Sequence, residues 1–368
     1  MPSPADADAL EAPSASPTPA VRPARHHDST RRARWVALPA ITVAALFVVI
    51  VATAAGKYFV PPEEVVRLLA GQILPIERTW YDREQSVVLD VRLPRVLLSF
   101  LVGAGLAVSG AVLQAVFRNP LVSPQFIGVS TGASFGGVLA ILFGLGTVHV
   151  VGGAFVCGIV ALALVLSIGR MGSTSPLLMI VLGGVVVSAF FSALVSFVAY
   201  IADPYTTLPT ITFWLMGSLA GASYAKAVTV LIPLAIGGVL IFALRWRLNV
   251  LSLGDEDARA LGVSPSATRS VLLVAVALVT AGSVAVSGVI GWVGLIVPHI
   301  ARLLVGSDSR VLLPASFLVG GGYLTLIDTL SRTIADTELP VGILTAVIGA
   351  PFFVILLARF RKKVWIGD

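Results

Sequence analysis

A single cysteine, Cys157, serves the whole 368-residue chain, so no intrachain disulfide can form and no thiolate pair can hold a metal. It sits in an apolar run, where a lone thiol behaves as a small hydrophobe. Charge is scarce too: Asp, Glu, Lys and Arg make up 12% of residues, against about 25% in ordinary soluble domains. A water-soluble surface cannot be covered with so few. The four histidines are His26 and His27 near the start, His149 and His299, and none has a second ligand at metal-binding spacing. No metal site and no cofactor is expected. None of the four lysines (Lys57, Lys226, Lys362, Lys363) stands in G-x-x-x-x-G-K-[ST], so the loop that cradles nucleotide phosphates is missing. The only acid well inside an apolar run is Asp328, one turn from Arg332, and an i,i+4 ion pair accounts for it. An ion-coupled secondary transporter needs a titratable group at mid-membrane depth, which ranks that class as an alternative only. A membrane enzyme ranks last, because no paired His/Asp/Glu or Ser/His constellation is present.

What is abundant is apolar sequence, 57% of the chain, in runs of about twenty residues, the length that crosses a hydrocarbon core of about 30 Å. The first run is Trp35 to Ala55; others begin near Val87, Phe126, Val148, Pro176, Ala225, Ser270, Val289, Leu312 and Val341. The fold class expected is therefore all-α, a polytopic membrane protein with about ten transmembrane helices and the lipid bilayer as its solvent. Residues 1–34 are too poor in apolar content to order and read as a tail; residues 35–368 form the membrane domain. Ten spans place both termini on one side. If that side is the cytoplasm, 17 of the 25 Lys and Arg residues lie there, as the positive-inside rule requires. The net charge of +6 is thus spent on topology, and no nucleic acid is expected as a partner.

Small residues at Gly103, Gly105, Ser109, Gly110 and at Gly183, Gly184, Ser188 allow close helix approach. The tetrapeptide Ala107-Val108-Ser109-Gly110 recurs at Ala285 to Gly288, 178 residues on, a short match of the kind that inverted repeats leave. Between two spans, Leu251 to Gly262 reads as a short cytoplasmic helix with acids in its first turn and Gly262 placed to end it, or as an ordinary surface loop.

Seven ordered blocks from about Val60 to the C-terminus carry a resemblance. They are R-L-P-R (Arg92 to Arg95); G-A-G-L-A-V-S-G-A-V-L-Q with N-P-L (Gly103 to Leu121); G-V-S-T-G-A (Gly128 to Ala133); F-W-L-M-G-S-L (Phe213 to Leu219); L-G-D-E-D-A-R-A-L-G (Leu253 to Gly262); G-V-I-G-W-V-G-L-I-V-P-H-I-A-R (Gly288 to Arg302); and E-L-P-V-G-I-L-T-A-V-I-G-A-P-F-F (Glu338 to Phe353). The chain resembles the permease subunits of type II ABC importers for iron-siderophores, haem and vitamin B12, proteins of the bacterial cytoplasmic (inner) membrane.

The resemblance implies a homodimer with its translocation path between subunits, two ABC ATPase subunits on the inner face and an extracytoplasmic substrate-binding protein on the outer. It implies transport of an iron chelate (ferric siderophore or haem), with vitamin B12 as the alternative, by a subunit that is not itself an enzyme. The matching positions give docking of the binding protein to Arg92, Arg95 and Arg332, which otherwise read as lipid-headgroup contacts or, for Arg332, as the partner of Asp328. They give ATPase coupling to Leu253, Gly254, Asp255, Glu256, Ala258, Arg259, Leu261 and Gly262. The cytoplasmic gate falls on Asn119, Leu121, Thr174 and Ser175, whose other reading is a turn and a helix cap. For the cavity, a bulky chelate favours the broad contacts of Phe213, Trp214 and Met216, which equally suit interfacial anchors.

Overall fold

The bilayer interior offers no water to a peptide group, so a spanning segment must bond its own backbone. The computed structural model describes residues 27–171 and 176–364, and its regular elements are all helical. In chain order they are α1 (His27–Ala54), α2 (Pro62–Gly71), α3 (Asp82–Ser86), α4 (Leu93–Val116), α5 (Val129–Leu142), α6 (Thr147–Met171), α7 (Pro176–Ile201), α8 (Thr207–Leu215), α9 (Tyr224–Ala243), α10 (Arg245–Leu253), α11 (Asp255–Ala260), α12 (Pro265–Ser287), α13 (Val293–Val305), α14 (Ser309–Thr333) and α15 (Val341–Val364). A π-wound turn, Val87–Arg92, joins α3 to α4.

Among the described residues, seven helical stretches are long and apolar enough to cross a membrane: those beginning at Ala37, Asp82, Thr147, Leu177, Tyr224, Pro265 and Ser309. Two of the expected spans are shorter. The run near Phe126 breaks at Gly128, where φ is +74°, so α5 keeps 14 residues, about 21 Å at 1.5 Å per residue. The run near Val289 is interrupted by Gly288 and by Trp292, whose φ of +69° is left-handed, and α13 begins only at Val293. At the start of the chain, α1 begins at His27 rather than Trp35; Arg31, Arg32 and Arg34 are good helix formers. Residues 1–26 of the expected tail lie outside the described residues.

Two helices, α4 and α12, are buried along most of their length, whereas α1, α6 and α7 turn most of their surface outward. α4 packs against α14, α13, α12 and α9, while α5 lies against α6 and α7. Lipid tails are as apolar as leucine, so helix association here depends on close van der Waals approach. A Cβ at Gly103 would strike the carbonyl oxygen of Gly320 in α14, and one at Gly110 would strike that of Gly294 in α13. The repeated tetrapeptide thus serves two ends: Gly110 is a contact in mid-helix, whereas Gly288 stops α12 at a φ of +68°.

Gly110→Ala should cost about 1–3 kcal/mol, the usual result of overpacking, read as a lower thermal midpoint in detergent. Gly238→Ala is the control, since a Cβ there meets nothing within 4 Å; it should leave the midpoint unchanged or raise it slightly.

Candidate functional site

At the end of the bundle where α1 stops, its last carbonyls have no partner within the helix. Two of the singled-out arginines supply it. Arg92 Nη1 donates to the carbonyls of Thr53 (3.0 Å) and Ala54 (2.8 Å), and its Nη2 to that of Tyr58. Arg332 Nη1 donates to the carbonyl of Ala55 at 2.8 Å and its Nη2 to that of Ala52. A cation at a helix C-terminus also suits the dipole. The third, Arg95, clasps Asp328: Nε lies 3.0 Å from both carboxylate oxygens and Nη2 2.9 Å from one, while Nη1 donates to Glu338 at 2.8 Å. Asp328 is 1% exposed, Arg92 5% and Arg95 8%.

The structure therefore gathers all three arginines at one end and turns their donors inward. It also corrects the account of Asp328. The i,i+4 approach of Arg332 is 3.9 Å, at the limit of an ion pair, and the principal partner is Arg95, 233 residues away in sequence. A contact so distant leaves no local periodic trace. Glu338, in E-L-P-V-G, was not singled out for the same reason.

At the opposite end, α10 stops at Gly254, whose φ of +139° and ψ of +164° break the helix, and α11 starts directly after it. Ala258 is fully buried and fixes one face of α11 against the bundle. Leu253, Glu256, Arg259 and Leu261 are exposed, and Gly262 ends the turn at a φ of +74°. Asp255 ties this short helix to the two most buried ones. It accepts from Arg269 of α12 at 2.5 and 2.8 Å and from Arg118, just past α4, at 2.7 Å; Arg118 Nε also donates to the carbonyl of Leu251. The hydrogen bonds and charge of Arg269, with Arg118 adding to them, hold the Asp255 carboxyl below the usual carboxylate range. Read from sequence, Arg118 and Arg269 carry only a topological meaning.

Asn119 Oδ1 accepts from the backbone N–H of Leu121 at 2.9 Å, closing the turn after α4. Both residues line a cavity of about 280 Å³ with Phe126, Ile127 and Val181 of α7. Thr174 and Ser175 lie outside the described residues. Phe213 and Trp214 of α8 line a larger cavity, about 420 Å³, with Thr147, Ser287 and Lys226. Met216 does not line it; the Met216 carbonyl instead accepts from the N–H of Gly342.

Residues 44–359 match the family model for the FecCD transport family. The chain belongs to that family. Among its FecCD-type relatives is the molybdate import system permease MolB of Haemophilus influenzae, 40% identical over 88% of this chain and 95% of that protein. An iron chelatin transport system permease of Helicobacter pylori is 44% identical over 75% of this chain and 83% of its own. Further relatives are named for hemin and cobalamin import. A solved ABC transporter chain in an inward-facing conformation superposes with a TM-score of 0.79 at 40% identity, covering 88% of this chain and 98% of that one. This FecCD protein is thus an ABC transporter permease, a multi-pass protein of the inner membrane.

Asp328→Leu should cost about 3–5 kcal/mol, because it strands Arg95 in a buried site, and adding Arg95→Met should recover much of that loss. Folded yield and thermal midpoint of the single and double variants measure it; a double variant worse than either single one would contradict the pairing. The Asp255 tie has a definite pH dependence. With its folded value depressed, its contribution is complete above the unfolded value of about 3.9 and is lost as pH falls through the lower folded value. Amide exchange in α11 should therefore be insensitive to the tie between neutrality and about pH 4, while Asp255→Asn should speed it severalfold already at pH 7, roughly 1 kcal/mol for a half-exposed pair.

Proposed function

We propose that this permease imports an iron chelate, a ferric siderophore or haem, as a homodimer worked by two copies of a separate ABC ATPase and supplied by an extracytoplasmic binding protein. The observation that carries the reading is α11. It is a short helix at one end of the bundle, with Leu253 and Leu261 exposed beside Glu256 and Arg259, and its root is bonded through Asp255 to both buried helices. Exposed leucines between charges suit a groove on a partner, and the ties give that partner purchase on the interior. In this reading the α11 end is cytoplasmic, with both termini and ten spans arranged as the basic residues suggest. The Asn119–Leu121 turn, with Thr174 and Ser175, forms the inner gate.

On the outer face we assign binding-protein docking to the surface held in shape by Arg92, Arg95 and Arg332. With their donors committed inside, these residues serve docking by fixing the positions of α1, α4 and α14 and by their positive field. The cavity under Phe213 and Trp214 is mainly apolar and falls within the usual size of ligand sites. That lining suits the organic shell of a chelate better than a bare oxyanion, and the iron chelatin and hemin relatives agree with it.

The test is growth of an iron-starved host lacking its own chelate permeases, supplied with ferric siderophores or haem together with the cognate ATPase and binding protein. Growth should require this chain, and Leu261→Asp should lower uptake about tenfold or more at an unchanged level in the membrane. Import of cobalamin or molybdate in place of every iron chelate would overturn the cargo; undiminished uptake by the Leu261 variant would overturn the role of α11.

A further inference from the structure

At the α11 end, a second cavity of about 480 Å³ lies between α4, α10, α13 and α14, meeting the gate turn only at Pro120 and separate from the Trp214 cavity. Two motif residues that the transport reading leaves without a task meet in it. Gln114, from the block that opens at Gly103, and Arg302, which closes P-H-I-A-R, are 188 residues apart, yet Arg302 Nη2 donates to Gln114 Oε1 at 3.0 Å. The Gln114 amide nitrogen is itself occupied by the carbonyl of Leu295 at 3.3 Å, so the amide is fixed and its oxygen orients the guanidinium. This neutral acceptor is the whole of Arg302's bonding among the described residues: no carboxylate stands within ion-pair distance, and its other N–H groups have no protein acceptor. Arg118 lines the same cavity, with Nη1 left over after its bonds to Leu251 and Asp255.

A part-buried guanidinium with unused donors lacks part of its set of acceptors, and its planar fork matches two oxygens of a phosphate. The remaining walls mix apolar Ala115, Pro120, Leu248 and Leu312 with the polar side chains of Asn249, Ser252, His299, Ser307 and Ser309, and at the rim Leu303 is 74% exposed, facing what surrounds the bundle. In a membrane protein a cationic recess with an apolar lip at a helix end is complementary to one amphiphile above others.

We propose that this cavity binds the headgroup of an anionic phospholipid, its phosphate held by Arg302 and Arg118 and an acyl chain running out over Leu303. The lipid then bridges α4 and α10 to α13 and α14 beside the root of α11, and it is a structural and regulatory ligand rather than cargo. This inference needs only the membrane location of the chain, not the identity of the cargo.

The experiment is native mass spectrometry of the full-length protein released from detergent after equilibration with equimolar phosphatidylglycerol and phosphatidylcholine. The wild type should retain phosphatidylglycerol preferentially. Arg302→Gln and Arg118→Gln should each lower that preference about fivefold, the effect of about 1 kcal/mol per basic residue. Arg302→Lys should keep part of it, and Arg310→Gln, an exposed cation at the same end outside the cavity, should keep all of it. Because Arg118→Gln removes only partly exposed bonds, it remains informative if the Arg302 variants fail to fold. An equal loss in the Arg310 variant would reduce the effect to diffuse surface charge and overturn the site. Displacement of the lipid by millimolar inorganic phosphate would assign the cavity to a soluble anion instead, and unchanged lipid selectivity in Arg118→Gln would likewise refute it.

Discussion

Removing a carboxylate and a guanidinium from water is expensive, and the bidentate contact of Arg95 with Asp328 is what makes it tolerable at this depth. The consequences spread outward from that pair. Asp328 belongs to α14 and Arg95 to α4, so the ion pair sets the register of two helices whose glycines, Gly103 and Gly320, are already in backbone contact. A slip of one residue would part the charges and drive a Cβ into a carbonyl at once. Glu338 satisfies the far nitrogen of Arg95 from the loop that leads to α15, and Arg332, one turn beyond Asp328, reaches the end of α1. Four segments remote in sequence are thus positioned by one arrangement of charges.

The same constraint explains why Arg92 and Arg332 point inward. An interfacial arginine can reach water or headgroups, but the end of α1 presents carbonyls that the surrounding protein shields from solvent. Donating to them removes two penalties together, one for the carbonyls and one for the guanidinium. Under the docking role proposed above, recognition at this end depends on the shape these bonds maintain and does not require each arginine to reach a partner itself.

How much of this could be read in the sequence follows from the range of each interaction. Apolar runs locate most of the long helices because span length is a local property, and Gly254 and Gly262 mark the limits of α11 because helix breaking is local too. The breaks at Gly128 and Trp292 escape that reading, since a continuous apolar run conceals a backbone reversal that costs no hydropathy. Asp255 was legible as a first-turn acid, but not as the partner of Arg118 and Arg269, which lie 137 and 14 residues from it. Phe213, Trp214 and Met216 read alike in sequence, as broad apolar contacts or interfacial anchors; the first two line one cavity, whereas Met216 bonds through its backbone instead. In each case what the sequence withholds is a pairing between distant residues.

These pairings also bear on motion. α4 runs for 24 residues, about 36 Å, and is held by an ion pair near each end: Arg95 with Asp328 at one, and at the other Arg118 with Asp255. Arg269 links that same carboxylate to α12. A push on α11 therefore reaches α4 and α12 together, and through Arg95 it reaches α14, before any side chain needs to repack. Interiors at this density shift between discrete arrangements rather than bending continuously. Among the described residues, ties of this kind are absent along the boundary between this block and α5 to α7, which meets it through small and apolar residues such as Gly158 against Ala281. The Asn119–Leu121 turn borders that boundary, and its cavity reaches Val181 of α7. A block moved from one end and free along one side is the mechanical form in which a helix bundle can convert pressure on a short external helix into the opening of a path.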